Sequence, residues 1–215
     1  MPVAAKICGL KTPEAIAAAV DGGAAFIGFN FFARSPRSLP AEEAGRLGRQ
    51  VPAAVKKVGL LVDDSDERIA AILAACPLDM LQLHGDETPE RVAAIKRRFG
   101  IAAMKVQKIR AAADIDRAAT YAPVADWLMF DTMPPAAMKN ALPGGNAVSF
   151  DWSLLTGRRF DLPWMLAGGL TAENLAEAVR ISGARTVDVS SGVEDQPGMK
   201  NPSKIKAFLD IARSL

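Results

Sequence analysis

Histidine is nearly missing from this chain: its 215 residues include one, His84, and only two cysteines, Cys8 and Cys76. One histidine excludes a histidine-rich metal site, and two distant cysteines with no CxxC leave no thiolate zinc site. No run approaches the ~18 apolar residues of a membrane span. No basic-then-apolar leader opens the chain. The 26 basic and 24 acidic residues leave a net charge of +2, so neither a nucleic-acid nor a membrane footprint is expected. No GxGxxG or Walker phosphate loop occurs. With no disulfide framework visible, the thiols are expected to be reduced and the protein cytoplasmic.

What is present is a repeated pattern. Half the residues are hydrophobic and 23% are charged, which fits an ordinary globular protein. Eight short apolar or β-branched runs read as strands: 4–8, 26–30, 56–62, 79–83, 102–107, 126–130, 164–167 and 186–190. Between them lie Ala-rich segments with apolar residues at three- and four-residue steps, at 13–21, 65–75, 88–98 and 171–181. Thr12-Pro13, Thr88-Pro89 and Thr171 with Glu173 supply helix-start signals. Strands recur roughly every 22–24 residues in most units, which makes parallel βαβ units. Eight of them predict an α/β protein with a single-domain (β/α)8 TIM barrel over residues 1–215. A doubly wound open sheet is the rival, but usually has fewer strands and a glycine-rich phosphate loop.

Two long loops break the spacing, at 31–40 (FFARSPRSLP) and 131–150 (DTMPPAAMKNALPGGNAVSF). Both follow a strand's C-terminal end, the face on which such barrels place their active sites. At that face stand Cys8, in phase with Lys6, then His84, Asp131, and the pair Asp188 and Ser190. Arg34 and Arg37 lie in the first long loop. Glycine-bearing turns at 167–170 (AGGL) and 190–193 (SSGV) follow strands 7 and 8, a common place for a phosphate. Thr171 begins a helix there, and the stretch after Gly192 is a candidate for a short extra one.

Each residue has a structural reading beside the chemical one. Cys8 is a small buried hydrophobe or a base. Asp131 caps the next helix or serves as an acid. His84 braces a turn or meets substrate. Arg37 is a solvated loop charge or pairs with a carboxylate. Lys6 is first an interior ion-pair partner, and Asp188 satisfies buried polar neighbours. A thiol, a carboxylate, a guanidinium and a phosphate cradle together suit acid/base chemistry on a sugar phosphate.

KICGL at 6–10, GFNFF with SPRSL at 28–39, VGLLVD at 58–63, LQLHGDE at 81–87, FDT at 130–132, FDW at 150–152, AGGLTAENL at 167–175 and VDVSSGVEDQPGMKN at 187–201 together resemble phosphoribosylanthranilate isomerases of tryptophan biosynthesis. The resemblance spans essentially the whole chain. It implies a (β/α)8 barrel that converts N-(5-phosphoribosyl)anthranilate to 1-(2-carboxyphenylamino)-1-deoxyribulose 5-phosphate by an Amadori rearrangement, without cofactor or metal. It implies Cys8 as general base and Asp131 as general acid. It implies Arg37 as the carboxylate partner, and Gly168, Gly169, Ser190, Ser191 and Gly192 as the phosphate site. Lys6, His84 and Asp188 are accessory candidates. We further read Lys6 as the neighbour that favours the Cys8 thiolate. The implied partner is a small phosphosugar, and the family includes both monomers and homodimers. One departure stands in the loop before FDW: the family usually has GGTG, and here the chain reads Gly144-Gly145-Asn146-Ala147.

Two other readings are kept. A metal-dependent epimerase barrel needs metal-binding histidines, and a paired-aspartate isomerase puts a carboxylate where Cys8 stands. A non-catalytic barrel would bind phosphosugar without turnover, yet both proposed catalytic groups are present.

Overall fold

Parallel strands covered on both faces need apolar side chains on both, so they read as continuous runs rather than alternating ones. The eight runs become eight parallel strands in the computed structural model, which describes residues 2–134, 142 and 144–215. They are β1 (Ala4–Cys8), β2 (Phe26–Asn30), β3 (Lys56–Leu61), β4 (Met80–Leu83), β5 (Ala102–Ile109), β6 (Trp127–Thr132), β7 (Trp164–Leu166) and β8 (Thr186–Val189). Each pairs with the next, and β8 pairs back to β1, closing the barrel. The open-sheet rival is thereby excluded.

Among the described residues seven helices accompany the strands: α1 (Pro13–Asp21), α2 (Ala41–Gly48), α3 (Asp66–Ala75), α4 (Pro89–Phe99), α5 (Ala112–Arg117), α6 (Leu175–Ser182) and α7 (Pro202–Ser214). Their starts are chemically explicit. The hydroxyls of Thr12, Ser65 and Thr88 each accept the backbone N–H three residues on, from Ala15, Arg68 and Arg91. After β6, a 3-10 turn at Trp152–Leu155 occupies the stretch before β7. Among the described residues no helix is long and apolar enough to cross a membrane.

Two apolar layers hold the fold. Between strands and helices lies a large layer built from residues such as Ile7, Ile27, Phe29, Leu81, Phe130 and Phe208. Inside the barrel lies a smaller one of Phe26, Val58, Met80, Met104, Val106, Met129, Met165 and Ala167. Four methionines in that list suit a tapering interior, because their unbranched chains fill irregular space. Above them the interior turns polar, with Lys6, Gln82 and Asp188 all buried. That change marks the functional end.

Two local expectations are corrected. The helix after β7 starts at Leu175 and not at Thr171. Thr171 and Asn174 bond to each other's backbone N–H, and Asn174 Nδ2 donates to the Gly169 carbonyl. These local side-chain bonds divert the first turn from helix. The stretch after Gly192 forms no extra helix. A 3-10 turn at Ser191–Val193 leads into a hairpin, β9 (Glu194–Gln196) and β10 (Met199–Lys200).

Candidate active site

A pocket opens at the C-terminal end of the barrel, lined by Cys8, Arg37, His84, Asp131, Asp188 and Ser190 among others. It encloses about 430 Å³, counting the part open to solvent, a size suited to a small-molecule ligand. Six residues singled out from the sequence therefore meet in one place. Arg34 does not join them: it is exposed, with its guanidinium 6.0 Å from the Phe32 ring.

Cys8 ends β1 and is buried. Its register partner on β2 is Gly28, where a Cβ would come within 3.0 Å of Cys8 Sγ and 3.1 Å of Lys6 Nζ. Glycine at that point leaves room for the thiol and the ammonium side by side. Lys6 Nζ also donates to Asp188 Oδ1 at 2.8 Å. Burial disfavours the Lys6 ammonium, but Asp188 and Cys8 outweigh it, and the Lys6 pKa rises above its ordinary value. Burial pushes the Cys8 thiol up, Lys6 pulls it down, and Asp188 pushes it up again; the net direction is upward. Lys6 thus acts in the expected direction without setting the outcome.

Asp131 lies within β6. Its Oδ1 accepts the Thr132 backbone N–H at 2.7 Å. Its Oδ2 stands 3.3 Å from His84 Nε2. Gln82 Nε2 reaches His84 Nδ1 at 3.1 Å. An amide nitrogen only donates, so in this orientation Nδ1 accepts and the ring proton sits on Nε2, facing Asp131. His84 Nε2, Gln82 Oε1 and Thr132 Oγ1 are buried without hydrogen-bond partners among the described residues. The turn that carries His84 is fixed by a buried Glu87–Lys105 pair at 2.6 Å. Glu87 also accepts the N–H groups of Asp63 and Gly85.

Arg37 is 4% exposed, far from a solvated loop charge. Its Nε and Nη2 donate to the two oxygens of Glu194, both at 2.8 Å, and Nη2 also donates to the Gly145 carbonyl at 3.3 Å. Ser35 shapes the loop by accepting the Arg37 N–H, and Asn30 Oδ1 by accepting the Phe32 N–H. Gly9, at φ +78°, passes under the Arg37 stem, where a Cβ would meet Cδ at 3.0 Å.

The loops after β7 and β8 lie against each other. A Cβ on Gly192 would run into the Leu170 carbonyl, and one on Gly168, at φ +92°, into Thr132 Oγ1. Ser190 Oγ donates to the Cys8 carbonyl at 3.2 Å. Gly168, Gly169 and Gly192 do not line the central pocket, and Ser191 lines a neighbouring cavity with Arg37 and Glu194.

In the long loop after β6, residues 135–141 and 143 lie outside the described residues. Its end covers the pocket. Gly144 packs on His84 and Asp131, so that a Cβ there would come within 2.6 Å of His84 Cε1 and 2.7 Å of Asp131 Oδ2. At the departed positions, Asn146 bonds both the N–H and the carbonyl of Leu142, and Ala147 takes a left-handed φ of +56°. Asn146 thereby ties the loop to itself.

Sequence reasoning did not assign Glu194, Lys200, Gln82, Asn30 or Ser35. Glu194 and Lys200 lie within the 187–201 motif, so a signal existed without a role attached.

The chain matches the family model described as N-(5'phosphoribosyl)anthranilate (PRA) isomerase over residues 5–211. It is 54% identical over 215 residues to the N-(5'-phosphoribosyl)anthranilate isomerase of Rhodospirillum centenum, with all of both chains covered. It resembles the crystal structure of phosphoribosyl anthranilate isomerase from Thermotoga maritima at TM-score 0.88 and 34% identity, covering 99% of this chain and 100% of that one. It also resembles, at TM-score 0.83 and 32% identity over 99% of this chain and 100% of the other, a phosphoribosyl anthranilate isomerase in complex with reduced 1-(o-carboxyphenylamino)-1-deoxyribulose 5-phosphate.

Proposed function

From the premise that this chain belongs to the phosphoribosylanthranilate isomerase family, we infer how its own residues divide the work. It is an isomerase of tryptophan biosynthesis that converts N-(5-phosphoribosyl)anthranilate to 1-(2-carboxyphenylamino)-1-deoxyribulose 5-phosphate. The observation that supports the assignment is the convergence of Cys8, Asp131 and Arg37 on one covered pocket.

The rearrangement needs a proton delivered at one point and removed at another. Asp131 Oδ1 is occupied as an acceptor, so Oδ2 is the oxygen that carries the proton and gives it to the ribose ring oxygen. Ring opening leaves a Schiff base on the anthranilate nitrogen. Cys8, as thiolate, then removes the proton from C2′, and the enolamine tautomerises to the ketone. Both steps are proton transfers between side chains and substrate, so no cofactor enters. His84, with its Nε2 proton facing Asp131, steadies the acid or contacts substrate. Lys6 and Asp188 hold charge beside the base.

Arg37 takes the anthranilate carboxylate through donors that Glu194 leaves free. The turns at Gly168, Gly169, Ser190, Ser191 and Gly192 take the phosphate, where left-handed glycines at 168 and 169 let backbone N–H groups come close. Every role falls on one barrel, so each subunit carries a full site whether the protein is a monomer or a homodimer. Neither nucleic acid nor membrane takes part in this chemistry, and we place it in the cytoplasm.

The test follows the loss of substrate fluorescence, with substrate made in situ, for wild type, Cys8→Ser and Asp131→Asn. Turnover by wild type and a loss of at least ~10²-fold in each folded variant is the expected result. Variants that retain activity remove the named residue from its role. A wild type that binds the reduced product analogue and turns nothing over makes this barrel a binding protein.

A further inference from the structure

Arg37 is immobilised by a carboxylate that comes from 157 positions further along the chain. Glu194 meets it fork to fork, using both oxygens against Nε and Nη2, the strongest geometry an arginine offers. Glu194 is itself held from the other strand of its hairpin. Lys200 Nζ donates to Glu194 Oε1 at 2.6 Å, to the Ser190 carbonyl at 2.9 Å and to Ser190 Oγ at 3.1 Å. All three charged side chains are at most 5% exposed. Burial disfavours the Glu194 carboxylate, but Arg37 and Lys200 outweigh it and hold its pKa below the ordinary value.

Two consequences follow. The Nε–Nη2 edge of the guanidinium is occupied, and the Gly145 carbonyl takes a further Nη2 proton. Nη1 makes no hydrogen bond with the described residues, so it is the end of Arg37 left for a ligand in the pocket that Arg37 lines. The buried group also holds two cations against one carboxylate, which leaves one positive charge to be matched. A neutral ligand there leaves a buried donor unpaired, and sites of that kind reject analogues lacking the partner.

We propose that Glu194, braced by Lys200, is a positioning residue that locks Arg37 so that its Nη1 end pairs with the substrate's aryl carboxylate, making the β9–β10 hairpin the element that selects a carboxylated aromatic amine over a neutral one. This rests on the assignment of Arg37 to that carboxylate.

The experiment compares two inhibitors, reduced 1-(o-carboxyphenylamino)-1-deoxyribulose 5-phosphate and the same compound without the ring carboxyl. The inhibition constants are measured for wild type, Arg37→Ala and Glu194→Gln. Wild type is expected to prefer the carboxylated compound by roughly 10- to 100-fold, the worth of a charge-assisted hydrogen bond, and Arg37→Ala to lose that preference. Glu194→Gln is expected to lose about tenfold of it while binding the compound without the ring carboxyl as wild type does. Its KM should rise more than its kcat falls.

A wild type without preference overturns the Arg37 assignment. Preference lost in Arg37→Ala yet fully kept in Glu194→Gln overturns the positioning role alone. A second measurement needs no variant: nitrogen-15 NMR of the free wild-type protein should show a slowly rotating Arg37 guanidinium. Free rotation about its Cζ–Nε bond overturns the lock even if Glu194→Gln fails to fold.

Discussion

Replacing Lys6 by methionine separates two things that one ammonium does here. The first is structural. Lys6 is fully buried and its partner Asp188 is 10% exposed at the side chain, with 2.8 Å between them. Removing one member of a buried pair leaves an uncompensated charge and costs about 3–5 kcal/mol, a large share of the ~5–15 kcal/mol that stabilises a typical domain. The second is chemical. Lys6 Nζ and Cys8 Sγ both lie within 3.1 Å of one point above Gly28, so they are no more than about 6 Å apart. At that separation and an effective dielectric near 20, the attraction of an ammonium for a thiolate is roughly 3 kcal/mol.

Asp188 sits on the other side of the ammonium and cancels part of that attraction. Lys6→Met is therefore expected to lower kcat/KM at neutral pH by roughly 10- to 100-fold, because a smaller fraction of Cys8 is ionised. The sign is definite. With Cys8 acting as thiolate, as proposed, kcat/KM rises with pH along the thiol's ionisation, and loss of Lys6 moves that rise to higher pH. The double variant Lys6→Met/Asp188→Leu removes both charges. It should recover most of the stability, as replacement of a whole buried pair usually does, and part of the activity. The assays are urea unfolding, ultraviolet titration of the thiolate, and kcat/KM against pH. A folded Lys6→Met protein whose Cys8 titrates as in wild type would refute the coupling. A double variant as unstable as the single one would refute the account of the ion pair.

Two further outcomes are expected. Gly168→Ala should abolish most activity while costing about 1–3 kcal/mol of stability, since φ is +92° and the added Cβ would come within 3.1 Å of Asp131 Oδ1; an active variant of normal stability contradicts that packing. The second concerns Cys76, whose thiol burial pushes up from 9.0 to about 11. Between those values the unfolded chain releases a proton that the folded chain keeps, so stability falls as pH rises, by at most about 2–3 kcal/mol. Urea unfolding of wild type and Cys76→Ala below pH 9 and near pH 11 should give the steeper loss in wild type, and equal losses would remove Cys76 from the effect.

The barrel was legible in the sequence for a physical reason. Strands buried on both faces leave little room for polar residues, so β1 and β2 end where their apolar runs end. Thr12 and Thr88 begin helices because a hydroxyl before a proline caps a free N–H and the proline needs none. Contacts made by the closure of the fold were not legible. The pairing of Arg37 with Glu194 depends on a hairpin of three- and two-residue strands, too short to leave a periodic trace. The approach of His84 to Asp131 depends on the tilt of two strands that are not neighbours in the sheet. The start of α6 was misplaced because Thr171 followed by Glu173 reads as a cap signal, whereas Thr171 and Asn174 bond each other's backbone N–H.

The charges around the two proposed reacting groups differ. The proposed base has an ammonium beside it, in Lys6. The proposed acid has no Lys or Arg paired with it among the described residues; its neighbour is the His84 imidazole, 3.3 Å away. A cation thus stands beside the proposed base, where it opposes the upward push of burial without reversing it, and none is paired with the proposed acid among the described residues. Arg37, on the pocket wall, and Lys200 behind it are both turned onto Glu194. On the proposed reading the phosphate then falls to the backbone of the glycine turns. A dianion held by peptide N–H groups brings its charge into the pocket unneutralised, which opposes a free thiolate. Lys6 is thus needed most when substrate is bound, and the Lys6→Met defect should be deeper in kcat than in the affinity for the phosphosugar.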